Sequence, residues 1–186
     1  MNEESERQRR IEAHNAEMRE TVERTKDLGL PAAIKELELK IKYGWGDFIF
    51  ENAQRNFQRV ETLPDTDPNK QVKMERTQSI LEIAKRWNDY GPKMLEFLQQ
   101  VQKESFPENW SDKPQWSLEG YPYEGLYSHN VIRWPATMEI NLRKAGIDPY
   151  KEATEEDKNR VAEEIVMKNL EPLLEWRKQK GLPNDL

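Results

Sequence analysis

The sequence predicts an all-α fold, an irregular bundle of about six helices with a charged N-terminal helical arm and a long ordered aromatic loop. Apolar residues recur at spacings of three and four over most of the chain, the period of one helix face. Glycine and proline stand between these stretches as start and stop signals. No alternating strand pattern persists, although Leu37–Tyr43 alternates and leaves helix or strand open there.

The charged arm is predicted over residues 1–30, with a helix at 3–28 and Gly29 as its stop. Opposite charges lie four residues apart along it, and its apolar stripe is thin: Ile11, Met18, Val22 and Leu28. A helix with so few apolar positions buries little surface by itself. Two interpretations stay open: a solvated or self-packed arm, and a helix that completes its packing on another chain.

A single helical domain is predicted over residues 31–186. Further helices are expected at 31–43, 47–62, 67–90, 92–101, 135–145 and 155–180. Gly91-Pro92 is expected to break one helix from the next, and Pro172 to kink or restart the last one. Thr154 and Asp157 resemble a capping box, with aspartate in place of the usual glutamate or glutamine.

Composition indicates a modest core beneath a heavily charged surface. Of the 186 residues, 34% are charged and 35% are apolar, and the mean hydropathy is −1.03. Six Trp, six Tyr and five Phe argue against disorder, because disordered chains are poor in aromatics. The net charge of −6 argues against a surface that binds phosphates throughout.

Several kinds of chemistry and location are disfavoured by what the chain lacks. The absence of cysteine removes disulfides, thiol catalysis and thiolate metal sites. The polar N-terminal stretch is unlike the apolar core of a signal peptide. No apolar run approaches the roughly 20 residues that span a bilayer. A cytoplasmic protein that does not associate with membranes is therefore expected.

An aromatic, proline-punctuated segment at 106–135 is the unusual feature of the chain. Apolar residues do not recur at helical spacing in this segment. Long irregular segments in compact domains are usually functional or disordered. Three interpretations stay open: an ordered wrap that buries its rings, a partner-binding surface, and a small-ligand pocket around His129. The candidate partner-binding residues are Trp110, Trp116, Tyr121, Tyr123, Tyr127, His129, Arg133 and Trp134.

No catalytic signature, cofactor motif or metal motif is recognisable. Phosphate-binding glycine loops, nucleophile elbows and paired metal-binding histidines are all missing. His14 is expected on the surface of the arm, and no orienting group is visible for His129. Two carboxylate pairs, Asp47/Glu51 and Glu82/Asp89, lie near core helices without making a full magnesium site. No catalytic or metal residue and no cofactor is therefore assigned.

These observations favour a non-catalytic interaction protein, an accessory or regulatory subunit that binds another macromolecule. The aromatic segment, the N-terminal helix or both would carry the binding, and another protein is the expected partner. A homo-oligomer stays open. One alternative is a nucleic-acid-associated accessory factor, which the net charge disfavours, with a partial basic face of Arg55, Arg59, Lys73, Arg76 and Lys85. The other alternative is a small helical magnesium-dependent hydrolase.

Overall fold

The computed structural model describes residues 3–104 and 124–185, and every regular element within those ranges is an α-helix. This confirms the all-α fold, and Leu37–Tyr43 is helical up to Lys42. None of the described helices is long and apolar enough to cross a membrane. The helices are α1 (Glu3–Lys42), α2 (Trp45–Glu61), α3 (Lys70–Lys103), α4 (Glu124–Lys144) and α5 (Glu155–Gln179).

The predicted break at Gly29 is wrong, because α1 continues through Gly29 and Pro31 without interruption. Gly29 allows the backbones of α1 and α4 to lie close together, because a Cβ placed there would lie 2.9 Å from the backbone oxygen of Trp134. Pro31 is exposed, while Leu28 and Leu30 on either side of Gly29 are buried. Burying two leucines contributes roughly 3–6 kcal/mol, enough to offset the ~3 kcal/mol that an interior proline costs a helix.

The predicted break at Gly91-Pro92 is also wrong, since α3 is continuous from Lys70 to Lys103. A Cβ on Gly91 would lie 2.9 Å from the indole ring of Trp87, one helical turn earlier. This glycine therefore makes room for a ring instead of ending the helix. Pro92 faces solvent, where the carbonyl that loses its helical donor can be hydrated.

Two further prolines, Pro135 and Pro172, lie inside helices. The helix expected to start at Pro135 instead begins at Glu124, so α4 includes residues that were predicted to be irregular. Pro135 is fully buried inside α4. Pro172 does not restart a helix, because α5 runs unbroken through it. The remainder of the predicted aromatic loop, residues 106–123, lies outside the described residues.

Other helix ends follow the sequence signals. Gly146, just after α4, has a φ of 78°, a left-handed conformation that glycine adopts without steric cost. The capping box before α5 is confirmed. The amide of Asp157 donates to the Thr154 hydroxyl at 3.1 Å, and the Thr154 amide donates to the Asp157 carboxylate at 3.1 Å. These bonds satisfy amides at a helix start that have no helical acceptor.

The chain divides into two compact units, to each of which α1, α3 and α5 contribute. The first comprises Met1–Glu36 and Met94–Lys168. Its largest fully buried side chains are Phe97, Leu98, Val101, Met138 and Leu142.

The second unit comprises Leu37–Lys93 and Asn169–Leu186. One of its clusters joins α2 and α3 through buried Ala53, Leu81 and Ala84, with Ile49, Phe50 and Phe57 packed against them. Its fully buried large side chains include Tyr43, Leu170 and Leu173. The predicted division into an arm and a single domain stays a prediction.

Candidate interaction surfaces

The N-terminal part of α1 carries many exposed polar side chains. From Glu4 to Asp27, every side chain whose exposure the structure describes is exposed, and burial begins abruptly at Leu28. Exposed polar pairs line this stretch: Arg10 forms an ion pair with Glu6 one turn earlier. We call residues 3–27 the arm. Because α1 is continuous, the arm and the buried residues after Asp27 belong to one helix of the first unit.

The candidate residues of the aromatic segment fall into three groups. Trp110, Trp116, Tyr121 and Tyr123 lie outside the described residues. Tyr127 and His129 belong to the first turns of α4, where the helical backbone is described. Arg133 is exposed on the same helix, while Trp134 beside it is buried at 7% exposure. The burial of Trp134 fits the interpretation of this segment as an ordered wrap; the partner-binding assignment of the whole set stays a prediction.

A cluster of aromatic and charged residues in the second unit was not predicted from the sequence. Gly44, with a left-handed φ of 77°, turns the chain so that Trp45 starts α2. The Trp45 ring lies 5.0 Å from the ring of Phe48, which meets Trp176 of α5 edge-on at 5.9 Å. The Lys40 ammonium lies 4.4 Å from the centre of the Trp45 ring, a favourable cation–π distance.

Glu51 is the polar centre of this cluster. Its carboxylate accepts a hydrogen bond of 3.0 Å from the Trp176 indole and lies 3.1 Å from the Lys180 ammonium. The indole hydrogen bond, followed by that of Lys180, lowers the pKa of Glu51 below its ordinary value. The carboxylate is thus held in its charged form by structural partners. Glu51 therefore links α2 to Trp176 of α5 and to Lys180 just after it. These contacts give the carboxylate a structural role.

A second tether surrounds Arg177. Its guanidinium donates hydrogen bonds to the backbone oxygens of Tyr43, at 2.8 Å, and Pro183, at 2.6 Å. The Tyr43 hydroxyl in turn donates to the backbone oxygen of Asp185. Asn184 donates to the Leu174 oxygen at 2.9 Å. These bonds hold the residues that follow α5 against the end of α1. Arg177 therefore has a structural role.

The predicted basic face is partly neutralised. Lys73 forms an ion pair with Asp67 at 2.8 Å, and Arg55 donates to the Asn52 amide oxygen at 2.5 Å. The Lys73 hydrogen bond, followed by that of the Asn69 amide, lowers the pKa of Asp67. All five basic residues of this face are exposed, including Arg59, Arg76 and Lys85.

The predicted carboxylate pairs are now placed. Asp47 accepts a long hydrogen bond of 3.5 Å from Asn88, and Glu51 is engaged as described above. Glu82 accepts a hydrogen bond from Gln78 one turn earlier. Over residues 3–104 and 124–185, no group of three or more histidine, aspartate and glutamate side chains is arranged to hold a metal ion. His14 is exposed on the arm, as expected.

Comparison of the chain with protein-family models, with curated proteins and with solved structures finds no match. The interpretation of its surfaces therefore rests on the geometry alone.

Proposed function

We propose that this chain is a non-catalytic interaction protein, an accessory or regulatory subunit of the cytoplasm that binds another protein. The observation that carries the proposal is the arm, whose described side chains are exposed from Glu4 to Asp27 although the helix continues into a buried anchor. The aromatic segment is the second surface that this function would use, because tryptophan, tyrosine and arginine are enriched at interface hot spots.

A charged helix with so thin an apolar stripe has little stability of its own. Isolated helices are marginal in water, and most helices in proteins are stabilised by packing one face. Pairs such as Glu6–Arg10 add only about 0.2–0.5 kcal/mol each. A partner that covers one face would add packing to the helix. The anchor at Leu28–Ile34 restricts the arm's direction, which lowers the entropy lost on binding.

In the test, the full chain is used as bait to capture partners from native lysate, and the captured proteins are identified by mass spectrometry. A proline at position 16 (Ala16→Pro) interrupts the arm, whereas the matched variant Ser5→Pro places the same residue in the first turn, where helices tolerate it. A third variant combines Trp110→Ala with Trp116→Ala. Circular dichroism and denaturation establish that each variant remains folded.

We expect partners to be lost with Ala16→Pro, with the tryptophan variant or with both, and to be retained with Ser5→Pro. Partners retained equally by all the folded variants would contradict the proposal. Loss with the tryptophan variant alone would assign binding to the aromatic segment. Partners that are nucleic acids, removed by nuclease treatment, would favour the alternative of a nucleic-acid-associated factor.

A further inference from the structure

We propose that α3 binds an amphipathic helix of another protein, and that this helix carries a carboxylate in the middle of its apolar face. The inference rests on the proposed function, because it adds a surface outside the arm and the aromatic segment and states the chemistry of the partner. It is carried by an exposed apolar stripe on α3 and by an arginine at the centre of that stripe.

The stripe consists of four apolar residues on one side of α3. Val72, Ile80, Ile83 and Trp87 follow one another at intervals of eight, three and four residues, the spacing of one helix face. The helix is continuous across them. Val72 is 65% exposed and Ile80 is 39% exposed, while Ile83 and Trp87 are half-buried. We call these four residues the α3 stripe.

The α3 stripe is not the side of the helix that packs on α2. Leu81 and Ala84 are buried and join Ala53 of α2 in the core of the second unit. Leu81 directly follows Ile80, so these two side chains point about 100° apart around the helix. The helix thus has one apolar side in the core and a second that is open to solvent at Val72 and Ile80. Apolar residues that recur along an exposed helix face are typical of a docking surface for another helix.

Arg76 determines the chemistry of the partner. It lies one helical turn after Val72 and one turn before Ile80, and its side chain is exposed. Within residues 3–104 and 124–185 it forms no ion pair. A helix that covers the stripe also covers this guanidinium, and burying a charge is costly unless an opposite charge meets it. A carboxylate meets that need, because it accepts two parallel hydrogen bonds from a guanidinium.

The charges on the flanks of the stripe already have contacts within the chain. On one flank Lys73 is paired with Asp67 at 2.8 Å. On the other, Glu75 and Glu82 accept hydrogen bonds of 2.8 Å and 3.0 Å from glutamines one turn earlier. The partner therefore needs its carboxylate opposite Arg76, at the centre of the contact, and only polar residues at the edges.

Two other occupants fit the stripe less well. In a symmetric pair of two copies of the stripe, Arg76 would meet Arg76, and like charges repel. A nucleic acid would engage Arg76 through a phosphate, but a polyanion does not cover Val72 and Ile80 with apolar surface. The acidic amphipathic helix satisfies the guanidinium and the apolar residues together.

The test uses synthetic helical peptides and the full chain. Each peptide presents leucine along one face of an alanine- and glutamine-rich helix of about 20 residues, with glutamate in the middle of that face in one peptide and lysine in the other. A third peptide has serine in place of the leucines. Chemical shifts of the isotope-labelled chain give the dissociation constant and the residues contacted. Arg76→Glu is the test variant, and Arg59→Glu makes the same charge change at an exposed residue of α2.

We expect the glutamate peptide to bind and to shift the amides of residues 72–87, and the serine peptide not to bind. Arg76→Glu should weaken the glutamate peptide about fivefold or more, as substitution of an interface arginine does, and should bind the lysine peptide more tightly than wild type does. Arg59→Glu should leave both affinities unchanged. Equal weakening by the two variants, or amide shifts confined to other residues, would overturn the inference.

The other occupants and the proposed function are separated by further outcomes. Self-association of the chain that the glutamate peptide reverses, or displacement of the peptide by a DNA duplex, would assign the stripe to those occupants and overturn the inference. If the glutamate peptide does not bind while Ala16→Pro loses a protein partner, the stripe is excluded and the proposed function stands. If the peptide binds as expected while Ala16→Pro and the tryptophan variant retain every partner, the stripe stands and the proposed use of the arm and the aromatic segment fails.

Discussion

The guanidinium of Arg177 donates a 2.8 Å hydrogen bond to the backbone oxygen of Tyr43 and lies 4.9 Å from the centre of the Tyr43 ring. One side chain of α5 thereby contacts both the backbone and the ring of the residue that directly follows α1. The same guanidinium also holds the backbone oxygen of Pro183. Arg177 is thus a polar hub that no local sequence pattern marks, since its partners on the α1 side are 134 residues away.

Replacing Arg177 should destabilise the protein. Arg177→Ala removes charge-assisted hydrogen bonds to two backbone oxygens and a cation–π contact, so we expect the free energy of unfolding to fall by about 1–3 kcal/mol. Lys178→Ala, at the exposed neighbouring position, is the matched control and should change it by less than about 0.5 kcal/mol. Urea denaturation followed by circular dichroism measures both. Equal effects of the two substitutions on the free energy of unfolding would contradict the stabilising role of Arg177.

The lowered pKa of Glu51 predicts an acid-dependent loss of stability. The folded pKa lies below the ordinary glutamate value of about 4.3, so the folded state binds this proton less readily than the unfolded state. The contribution is fully present above that ordinary value and disappears as pH falls through the folded pKa. We expect Glu51→Gln to be less stable than wild type at neutral pH and the difference to shrink below pH ~4.

Glu61→Gln is the control for Glu51→Gln, because it removes an exposed carboxylate from the end of the same helix. Urea denaturation at a series of pH values compares the two variants with wild type. A Glu51→Gln deficit that persists unchanged into the acid range would show that the carboxylate's charge is not what stabilises the α2–α5 contact.

The close approach at Gly29 predicts opposite effects of two alanines in the same turn of α1. Gly29→Ala places a methyl group 2.9 Å from the Trp134 backbone oxygen, so we expect a loss of about 1–3 kcal/mol as α4 is displaced. Pro31→Ala restores a backbone donor at an exposed position and should leave stability unchanged or raise it. Thermal and urea denaturation measure both variants, and a neutral Gly29→Ala would exclude the close packing.

Residues 29 and 91 show where prediction from the sequence reaches its limit. Helix periodicity predicts the all-α fold, and signals that act within a few residues, such as the Thr154–Asp157 capping box, are confirmed. Gly29 and Gly91 have the same local signature as a helix stop. Their function depends on what lies beside them, a distant backbone in one case and an indole in the other. Local chemistry does not encode these neighbours.

The cluster around Glu51 shows the same limit for surfaces. Gly44 turns the chain before α2, and Trp45 packs on Phe48 within a few residues of that turn. The contact of Glu51 with Trp176 joins residues 125 positions apart, so only the folded chain reveals it. The exposed polar side chains of the arm, in contrast, follow from its dense local run of charged residues.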